Sequence, residues 1–314
     1  MRQAGRYLPT YRALRGSHTL SSLFHTPELA FEVTHLPLKL FNLDAAILFS
    51  DILMIAEVFG LQVIFPEKGG PRVEPPIFSA QQIENLVARS VEETLHYVFE
   101  TIRLLSPTLQ IPLLGFCGAP FTVATYLVAG GAETLKRWMQ DDPESVIKLL
   151  DKICSASIEY LLLQKKAGVH AVQIFDSWAN LLSYPDFLTY SLSYMKRMVD
   201  ALSKEGIPTI LFCRNSSLLA PELASIGSAA ISFDEKRSMR TLRSLVPSHI
   251  AIQGNLDQKL LLEPPDVVEA AVKNLLEEMR QEKGFIVNLG HGLLPETRVE
   301  SVQRLVETIQ NYKT

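Results

Sequence analysis

Residues 168–178, which decide the class of fold, read Gly168-Val169-His170-Ala171-Val172-Gln173-Ile174-Phe175-Asp176-Ser177-Trp178. A short β-prone run, residues 170–175, lies between a glycine-terminated segment and a group of polar residues. The run is largely apolar without clear alternation, which is typical of a strand buried on both faces of a parallel sheet.

A long helix is predicted directly before this strand. Asp142 is a suitable N-cap, Pro143 suits the first helical position, and Gly168 marks the end of the helix. Between them apolar residues recur every three or four positions, as expected for a helix with one buried face. A helix followed by a buried strand is the repeating unit of an α/β fold.

The same alternation of strands and helices extends along the chain. Six more buried strands are predicted, at residues 45–50, 111–117, 208–213, 229–233, 250–254 and 285–289. Seven strands are one short of a closed eight-stranded barrel, so the prediction is an α/β fold of the (β/α)8, TIM-like barrel type. No linker or internal repeat divides residues 1–314, and we therefore expect a single domain.

Residues 61–73 depart from this rhythm. A β-prone run there meets Lys68-Gly69-Gly70-Pro71, whose residue types favour a tight turn. The segment is predicted to form a β-hairpin on the rim of the barrel.

Composition excludes several classes of protein. The chain is 47% hydrophobic and 20% charged, which excludes a disordered protein. Thirty Lys and Arg against 34 Asp and Glu give a net charge of -4 without a long basic run, so no nucleic-acid partner is expected. The apolar runs are far shorter than the roughly 20 residues of a membrane span, and the first residues lack the apolar core of a secretory signal. We expect a cytoplasmic protein without a membrane segment.

Three cysteines without a C-x-x-C pair suggest neither disulfides nor a thiolate zinc site. Signatures of zinc peptidases, of P-loop nucleotide hydrolases and of dinucleotide-binding enzymes are also missing from the sequence. No metal site or cofactor is expected.

Chemistry in such a barrel is expected where the strands end, because the following loops converge on one face. Polar side chains at or after these ends are Asp51, Tyr126, Ser177 and His291. Arg2 and Arg6 lie four residues apart near the start of the chain and can therefore share one side of a turn.

Each of these residues also has a purely structural interpretation. Asp51 and Ser177 could cap helices, Tyr126 could be a core aromatic residue, and His291 could belong to a turn. The two arginines could simply be solvated. No histidine lies within three residues of Ser177, which argues against a serine hydrolase.

Six motifs taken together carry a resemblance to a known family. They are Met1-Arg2-Gln3-Ala4-Gly5-Arg6-Tyr7-Leu8-Pro9, Phe49-Ser50-Asp51-Ile52-Leu53, Gly115-Phe116-Cys117-Gly118-Ala119-Pro120-Phe121-Thr122, Gln173-Ile174-Phe175-Asp176-Ser177-Trp178, Gln253-Gly254-Asn255-Leu256-Asp257 and Asn288-Leu289-Gly290-His291-Gly292. In this order, and over essentially the whole chain, they resemble the uroporphyrinogen decarboxylase family.

The resemblance implies an enzyme of haem biosynthesis without a cofactor, built as a homodimer of (β/α)8 barrels. Its substrate would be uroporphyrinogen III, whose four acetate side chains become methyls to give coproporphyrinogen III and CO2. The resemblance also implies the residues of the site. Arg2 and Arg6 would bind substrate carboxylates, and Asp51 would face the pyrrole nitrogens. Residues around the cleft would be Tyr126, Ser177 and His291, with Ile47 and Phe49 lining it.

Physical chemistry fits these roles. A substrate with eight carboxylates requires local guanidinium groups, which grip carboxylates in a fork geometry. Protonating the pyrrole carbon beside the reacting acetate makes that ring an electron sink and leaves it cationic, and a fixed carboxylate such as Asp51 would stabilise the cation. Asp51, Tyr126 and His291 are the predicted catalytic residues, and the identity of the proton donor stays open between Tyr126 and His291.

The sequence also departs from the family pattern. The family has a segment upstream of residue 1 that contains the first strand, so we expect the barrel to lack that strand here. Arg214 and its neighbours stand where the family more often has a Lys-Gly sequence, and Asp234-Glu235 stands where an Asp-Trp pair is usual. We expect these loops to reshape the cleft rim.

Two rival functions remain. A zinc-dependent corrinoid methyltransferase of the same fold would need a His-x-Cys pair near Cys213, but residue 211 is leucine. A non-catalytic tetrapyrrole-binding protein would keep the arginines and the cleft without needing Asp51.

Overall fold

The computed structural model describes residues 3–66 and 69–312. Seven parallel strands form one sheet in the order β1-β4-β5-β6-β7-β8-β9, and each strand pairs with the next one that the sequence predicts. Their bounds are β1 (Ala46–Ile47), β4 (Leu113–Gly118), β5 (Ala171–Asp176), β6 (Thr209–Cys213), β7 (Ala230–Ser232), β8 (Ala251–Leu256) and β9 (Phe285–Leu289). All seven predicted strands are confirmed, with ends that differ by a few residues.

Helices connect and cover these strands. They are α1 (Pro9–Ser17), α2 (Leu20–His25), α3 (Pro27–Leu38), α4 (Ala80–Glu84), α5 (Val91–Thr94), α6 (His96–Leu105), α7 (Pro120–Leu127), α8 (Gly131–Asp141), α9 (Pro143–Ala167), α10 (Tyr184–Phe187), α11 (Ser193–Lys204), α12 (Ala220–Ala224), α13 (Met239–Leu245), α14 (Pro265–Glu278) and α15 (Val299–Gln310). Short 3-10 helices lie at Met54–Phe59, Ala179–Leu181, Ser216–Leu218 and Gln258–Leu262, and a π-helical turn lies at Leu188–Leu192.

The long helix predicted from residue 143 is α9. Asp142 accepts a hydrogen bond from the backbone N–H of Ser145 at 3.2 Å, and Pro143 takes the first turn, as predicted. Gly168 follows the last residue of the helix with φ +130°, a conformation that L residues rarely adopt. The predicted ends of this helix are therefore confirmed.

The predicted hairpin is also confirmed. β2 (Gln62–Ile64) pairs antiparallel with β3 (Arg72–Glu74), so that Gln62 faces Glu74. Beyond the hairpin, Ile77 donates its N–H to Leu127 O at 2.7 Å, at the end of α7. This contact places the hairpin beside the helix that follows β4. Residue 67 of the predicted hairpin and residue 68 of its predicted turn lie outside the described residues.

The first strand is shorter than predicted because the chain leaves the sheet after Leu48. Leu48 N–H still donates to Leu114 O on β4 at 3.0 Å, whereas Phe49 N–H donates to the Thr34 hydroxyl of α3 at 3.1 Å. Beside Phe116 of β4, the fully buried side chain of Gln164 from α9 takes the place of β1. The Gln164 amide N–H donates to Phe116 O, and its amide oxygen accepts Phe116 N–H, both at 3.0 Å.

The sheet curls so that its two outer strands approach each other. Side chains of β1 and β9 line the same cavity of about 620 Å³, which is also walled by apolar side chains of α14 and α15. Within the described ranges β1 and β9 each pair with a single neighbouring strand of this sheet. The fold is therefore the predicted α/β barrel type, with seven strands in a curled parallel sheet.

Aromatic side chains fill the inside of the curl. The rings of Phe116 and Phe175 lie 5.7 Å apart, and those of Phe175 and Phe212 lie 5.9 Å apart. These residues come from β4, β5 and β6, and their side chains share one face of the sheet because Phe175 is directly paired with Phe212. They form an aromatic floor beneath the loops that follow the strands.

Two further sequence predictions can be compared with the structure. Cys117, Cys154 and Cys213 are free and buried, as expected for structural thiols. Of the helices in residues 3–66 and 69–312, none combines the length and apolar composition that crossing a bilayer requires.

Candidate active site

The candidate site lies above the aromatic floor, where the strands give way to loops. Ser177 and Arg214 occupy the positions two residues after the paired Phe175 and Phe212. The ladder extends to this level, because Arg214 N–H donates to Asp176 O at 3.2 Å. Alternation of side chains along paired strands therefore places Ser177 and Arg214 on the same side as the phenylalanine rings.

Asp51 follows β1 and is half-buried. Its Oδ1 accepts the backbone N–H of Leu53 at 2.9 Å, at the start of the 3-10 helix Met54–Phe59. Leu53 is the N-cap of this helix and the helix has no side-chain cap, so Asp51 closes the turn before the helix and does not cap it. The negative charge of Asp51 also acts to raise the pKa of Tyr126, so the carboxylate and the phenol lie close enough to interact electrostatically.

Tyr126 belongs to the last turn of α7, with its ring 6.1 Å from that of Trp178. Burial is the largest influence on the Tyr126 phenol and raises its pKa, while a hydrogen bond from the Trp178 side chain and the positive charge of Arg214 act to lower it. The net shift is upward, so the hydroxyl of Tyr126 keeps its proton at neutral pH and can donate a hydrogen bond.

A buried network fixes Tyr126 and Trp178. Thr122, one turn before Tyr126, donates its hydroxyl to Asp176 Oδ1 at 2.5 Å and accepts the backbone N–H of Trp178 at 3.0 Å. Ser191 of the π-helical turn donates to the other oxygen of Asp176 at 2.5 Å. Burial raises the pKa of the Asp176 carboxyl, and these hydroxyl donors oppose that effect. Asp176 thus links α7 to the π-helical turn, and Thr122 links α7 to the loop that follows β5.

His291 follows β9 and stands over the edge of the aromatic floor, with its ring 6.4 Å from that of Phe212. Its Nε2 lies 3.1 Å from Nη2 of Arg214. The preceding Gly290 donates its N–H to Leu256 O at 2.7 Å, and a Cβ at Gly290 would lie 2.7 Å from the backbone nitrogen of Glu235. The lack of a side chain at Gly290 therefore allows the chain beside His291 to approach the backbone of Glu235 closely.

Ser177 is half-exposed, and its hydroxyl makes no hydrogen bond to any residue that the structure describes. The next 3-10 helix, Ala179–Leu181, has Trp178 as its N-cap and no side-chain cap. The structural interpretation of Ser177 as a helix cap is therefore wrong, and its hydroxyl is available to a ligand.

The arginine segment lies beside the loop that follows His291. Arg2 lies outside the described residues, and Arg6 is exposed. Arg6 lines a pocket of about 450 Å³ together with Arg12, Arg15 and Pro295. Arg12 also donates a hydrogen bond to the backbone oxygen of Arg6 at 2.8 Å. Arg12 therefore adds positive charge to the pocket and holds the backbone at Arg6 in place.

The two apolar residues predicted to line the cleft have different surroundings. Ile47 lines the cavity between β1 and β9. Phe49 stacks on Phe24, with ring centroids 4.7 Å apart, and meets the edge of Tyr11. Phe49 therefore belongs to an aromatic cluster with residues of α1 and α2, two residues before Asp51 in the chain.

Sequence reasoning missed three residues that the structure places at this site: Arg214 next to His291, Trp178 next to Tyr126, and Gln3, which ties the arginine segment to β1. Arg214 and Trp178 could have been found, because Arg214 directly follows a predicted strand and Trp178 comes three residues after the end of another. Among residues 3–66 and 69–312, no three His, Cys, Asp or Glu side chains are grouped so that they could hold a metal ion.

Comparison with solved structures supports the fold. A methyltransferase from Methanosarcina mazei superimposes with a TM-score of 0.80 at 22% identity, over 91% of this chain and 86% of that protein. A B12-independent methionine synthase from Shewanella sp. W3-18-1 gives a TM-score of 0.58 at 12% identity, over 90% of this chain and 88% of that one. These similarities concern the fold alone.

Comparison of sequences identifies the family. The family model described as uroporphyrinogen decarboxylase matches residues 1–312. A uroporphyrinogen decarboxylase from Protochlamydia amoebophila is 48% identical over 99% of this chain and 86% of its own length. One from Syntrophotalea carbinolica is 42% identical over 98% of this chain and 91% of its own length. The chain belongs to the uroporphyrinogen decarboxylase family.

Proposed function

We propose that the protein is a uroporphyrinogen decarboxylase, a carboxy-lyase that converts the acetate side chains of uroporphyrinogen III to methyls in haem biosynthesis. The observation that carries the proposal is similarity to uroporphyrinogen decarboxylases over the whole chain, at up to 48% identity. Asp51 comes after β1, Tyr126 lies in α7 after β4, and His291 comes after β9, which supports a site at the end of the strands where barrel enzymes hold their reacting groups.

Arginines recognise the substrate in this proposal. Uroporphyrinogen carries eight carboxylates, and the net charge of -4 on the protein would repel them without local cations. Arg6, Arg12 and Arg15 line one pocket beside the loop after His291, and Arg2 belongs to the same segment of chain. Guanidinium groups bind carboxylates through paired N–H donors, which orients the substrate as well as attracting it.

Asp51 stabilises the charge that develops during decarboxylation. Protonation of the pyrrole carbon beside an acetate makes the ring cationic, and the electrons of the breaking C–C bond then flow into that ring as CO2 leaves. The methylene carbon left behind takes up a proton to become the methyl group, and the ring carbon gives up its added proton, which restores the pyrrole. A fixed carboxylate in a site partly screened from water stabilises such a cation as it forms. The same oxygens can accept hydrogen bonds from pyrrole N–H groups.

Tyr126, Ser177 and His291 orient substrate carboxylates. The raised pKa of Tyr126 keeps its hydroxyl protonated and therefore a hydrogen-bond donor. Ser177 has a half-exposed hydroxyl with no hydrogen-bond partner in the described part of the chain. We keep Ile47 and Phe49 as residues that line the cleft, since Ile47 lines a cavity inside the curl of the sheet and Phe49 lies between β1 and Asp51 in the chain.

We further infer that residues 1–314 form one folding unit, which predicts a single cooperative thermal transition. The family resemblance supports a homodimer, testable by light scattering after size-exclusion chromatography. Three free, buried cysteines support residence in a reducing compartment, the cytoplasm, which cell fractionation can test.

The function is tested by incubating the purified protein anaerobically with uroporphyrinogen III, without added metal or cofactor. After oxidation the porphyrins are separated by chromatography. Products with seven to four carboxylates, appearing in succession, are expected. A folded protein that binds uroporphyrin III yet forms none of these products would favour the non-catalytic binding function instead.

A further inference from the structure

Arg214 contacts His291 in the candidate site, and the proposed function gives it no role. It directly follows β6, is half-buried, and places Nη2 at 3.1 Å from Nε2 of His291. In the part of the chain that the structure describes, no carboxylate lies within ion-pair distance of its guanidinium. A half-buried guanidinium without an acidic partner is suited to bind a carboxylate from a ligand.

The loop around Arg214 is built to hold it in place. Arg214 N–H is bound to Asp176 O, and the next residue, Asn215, has φ +66°, a left-handed conformation that Asn tolerates better than most residues. Ser216 and Ser217 are fully buried and bind Asp234, through its backbone N–H and its carboxylate respectively. The turn therefore fixes the direction in which the Arg214 side chain leaves the sheet.

The contact with His291 defines the state of the imidazole ring. A guanidinium has only N–H donors, so Nε2 of His291 must be the acceptor in this hydrogen bond. A ring nitrogen that accepts carries no proton, and the proton of the neutral ring is then on Nδ1. His291 in this arrangement is a neutral hydrogen-bond donor through Nδ1 and is not an imidazolium acid.

Arg214 also influences the other side of the site. Its positive charge acts to lower the pKa of Tyr126, whereas the negative charge of Asp51 acts to raise it. Arg214 thus lies within electrostatic range of Tyr126 and in contact with His291. These are two of the residues to which the proposed function gives substrate carboxylates.

We propose that Arg214 is a further substrate-binding and positioning residue: its guanidinium binds a substrate carboxylate and holds His291 as the neutral Nδ1–H tautomer. This inference rests on the proposed function for the identity of the ligand. The part that concerns His291 does not depend on turnover.

The tautomer can be measured on the unaltered protein. In the protein labelled with 15N-histidine, long-range 1H–15N correlation spectra at neutral pH distinguish protonated from unprotonated ring nitrogens. The His291 signals are identified by their loss in His291→Gln. We expect a protonated Nδ1 and an unprotonated Nε2. A proton on Nε2 of His291 in the unaltered protein would overturn the proposal.

Substrate binding is tested with Arg214→Gln, Arg214→Lys and Arg237→Gln. The last is a matched control, because Arg237 is an exposed arginine on the neighbouring loop after β7. Loss of a charge-assisted hydrogen bond predicts a roughly 10- to 100-fold higher KM for Arg214→Gln with a much smaller change in kcat. Arg214→Lys retains the charge, so its KM should stay within about tenfold of the unaltered value.

Dissociation constants for uroporphyrin III, followed by fluorescence, give a reading that does not need catalysis. They should rise for Arg214→Gln and stay unchanged for Arg237→Gln. If the unaltered protein forms no product but Arg214→Gln still weakens uroporphyrin III binding, the proposed function fails while the role of Arg214 stands. Equal affinities for Arg214→Gln and Arg237→Gln would refute the role of Arg214 in ligand binding.

Discussion

The side-chain amide of Gln3 pairs with the backbone of β1 on both sides of Ala46. Its Nε2 donates to Ala45 O at 2.7 Å, and its Oε1 accepts the N–H of Ile47 at 2.8 Å. Gln3 therefore satisfies the outer edge of β1 as a neighbouring strand would. It also anchors the segment that carries Arg6 to the sheet that carries Asp51.

Replacing Gln3 by alanine should lower stability and weaken substrate binding together. Two backbone groups lose their partner, which predicts about 1–3 kcal/mol less free energy of unfolding. Denaturant unfolding measures this change, with Gln110→Ala as a control at an exposed glutamine. A stability and KM equal to those of the control would contradict the anchoring role of Gln3.

The buried side chain of Gln164 should be more sensitive than that of Gln3. Gln164→Leu leaves the N–H and the C=O of Phe116 without partners inside the protein, and each such group is worth about 1–3 kcal/mol. We therefore expect a loss of roughly 2–5 kcal/mol, measured by the same unfolding experiment. Gln110→Leu gives the control, and a loss below 1 kcal/mol, on the order of a typical surface substitution, would count against the account.

Stability should depend on pH through His25. Nε2 of His25 lies 2.8 Å from Glu57 Oε1, and this hydrogen bond raises the pKa of His25 above its ordinary 6.5, against the opposing effect of burial. Because the pKa of His25 is raised in the folded state, the contribution of this interaction to the free energy of unfolding is complete below pH 6.5. It disappears as the pH rises through the pKa that His25 has in the folded protein.

The measurement is the Tm of the unaltered protein minus that of His25→Gln at a series of pH values. The difference should be largest in mild acid and shrink above neutrality. His249→Gln, at an exposed histidine, serves as the control. A difference that grows as the pH rises would have the wrong sign for this interaction.

The variant Asp51→Asn should separate the effect of the Asp51 charge on catalysis from the effect of Asp51 on the local structure. The amide oxygen of asparagine can still accept the N–H of Leu53, so the turn before Met54 is retained and Tm should change little. Without the negative charge, kcat should fall by about 100- to 1000-fold, the scale of losing a group that stabilises developing charge. Asp141→Asn controls for loss of one acidic charge at an exposed position. Full turnover in Asp51→Asn would remove the proposed role.

Much of the fold could be predicted because its signals are local. The seven strands are apolar runs that the sheet buries, and α9 begins at Asp142 and ends before Gly168 as its end signals predict. The end of β1 could not be predicted in this way. It depends on the Thr34 hydroxyl of α3, which binds Phe49 N–H in place of β4, and on the Gln164 amide of α9, which binds Phe116 of β4 in place of β1.

The site was predictable in part for the same reason. Strand ends and the family motifs predict Asp51, Tyr126, Ser177 and His291 as candidate site residues, but they do not say which side chains meet. The contact of Arg214 with His291 joins residues 77 positions apart. The distinction between Ser177, which is available, and Asp176, which is buried with Thr122 and Ser191, follows from the alternation of side chains across β5.

The most direct test of the account is the amount of CO2 released from uroporphyrinogen III by the purified protein under anaerobic conditions, without added metal or cofactor. The account predicts release that approaches one CO2 for each acetate side chain, and almost none from Asp51→Asn in the same time. A folded protein that binds uroporphyrin III but releases no CO2, or an Asp51→Asn variant that releases it at the unaltered rate, would contradict the account.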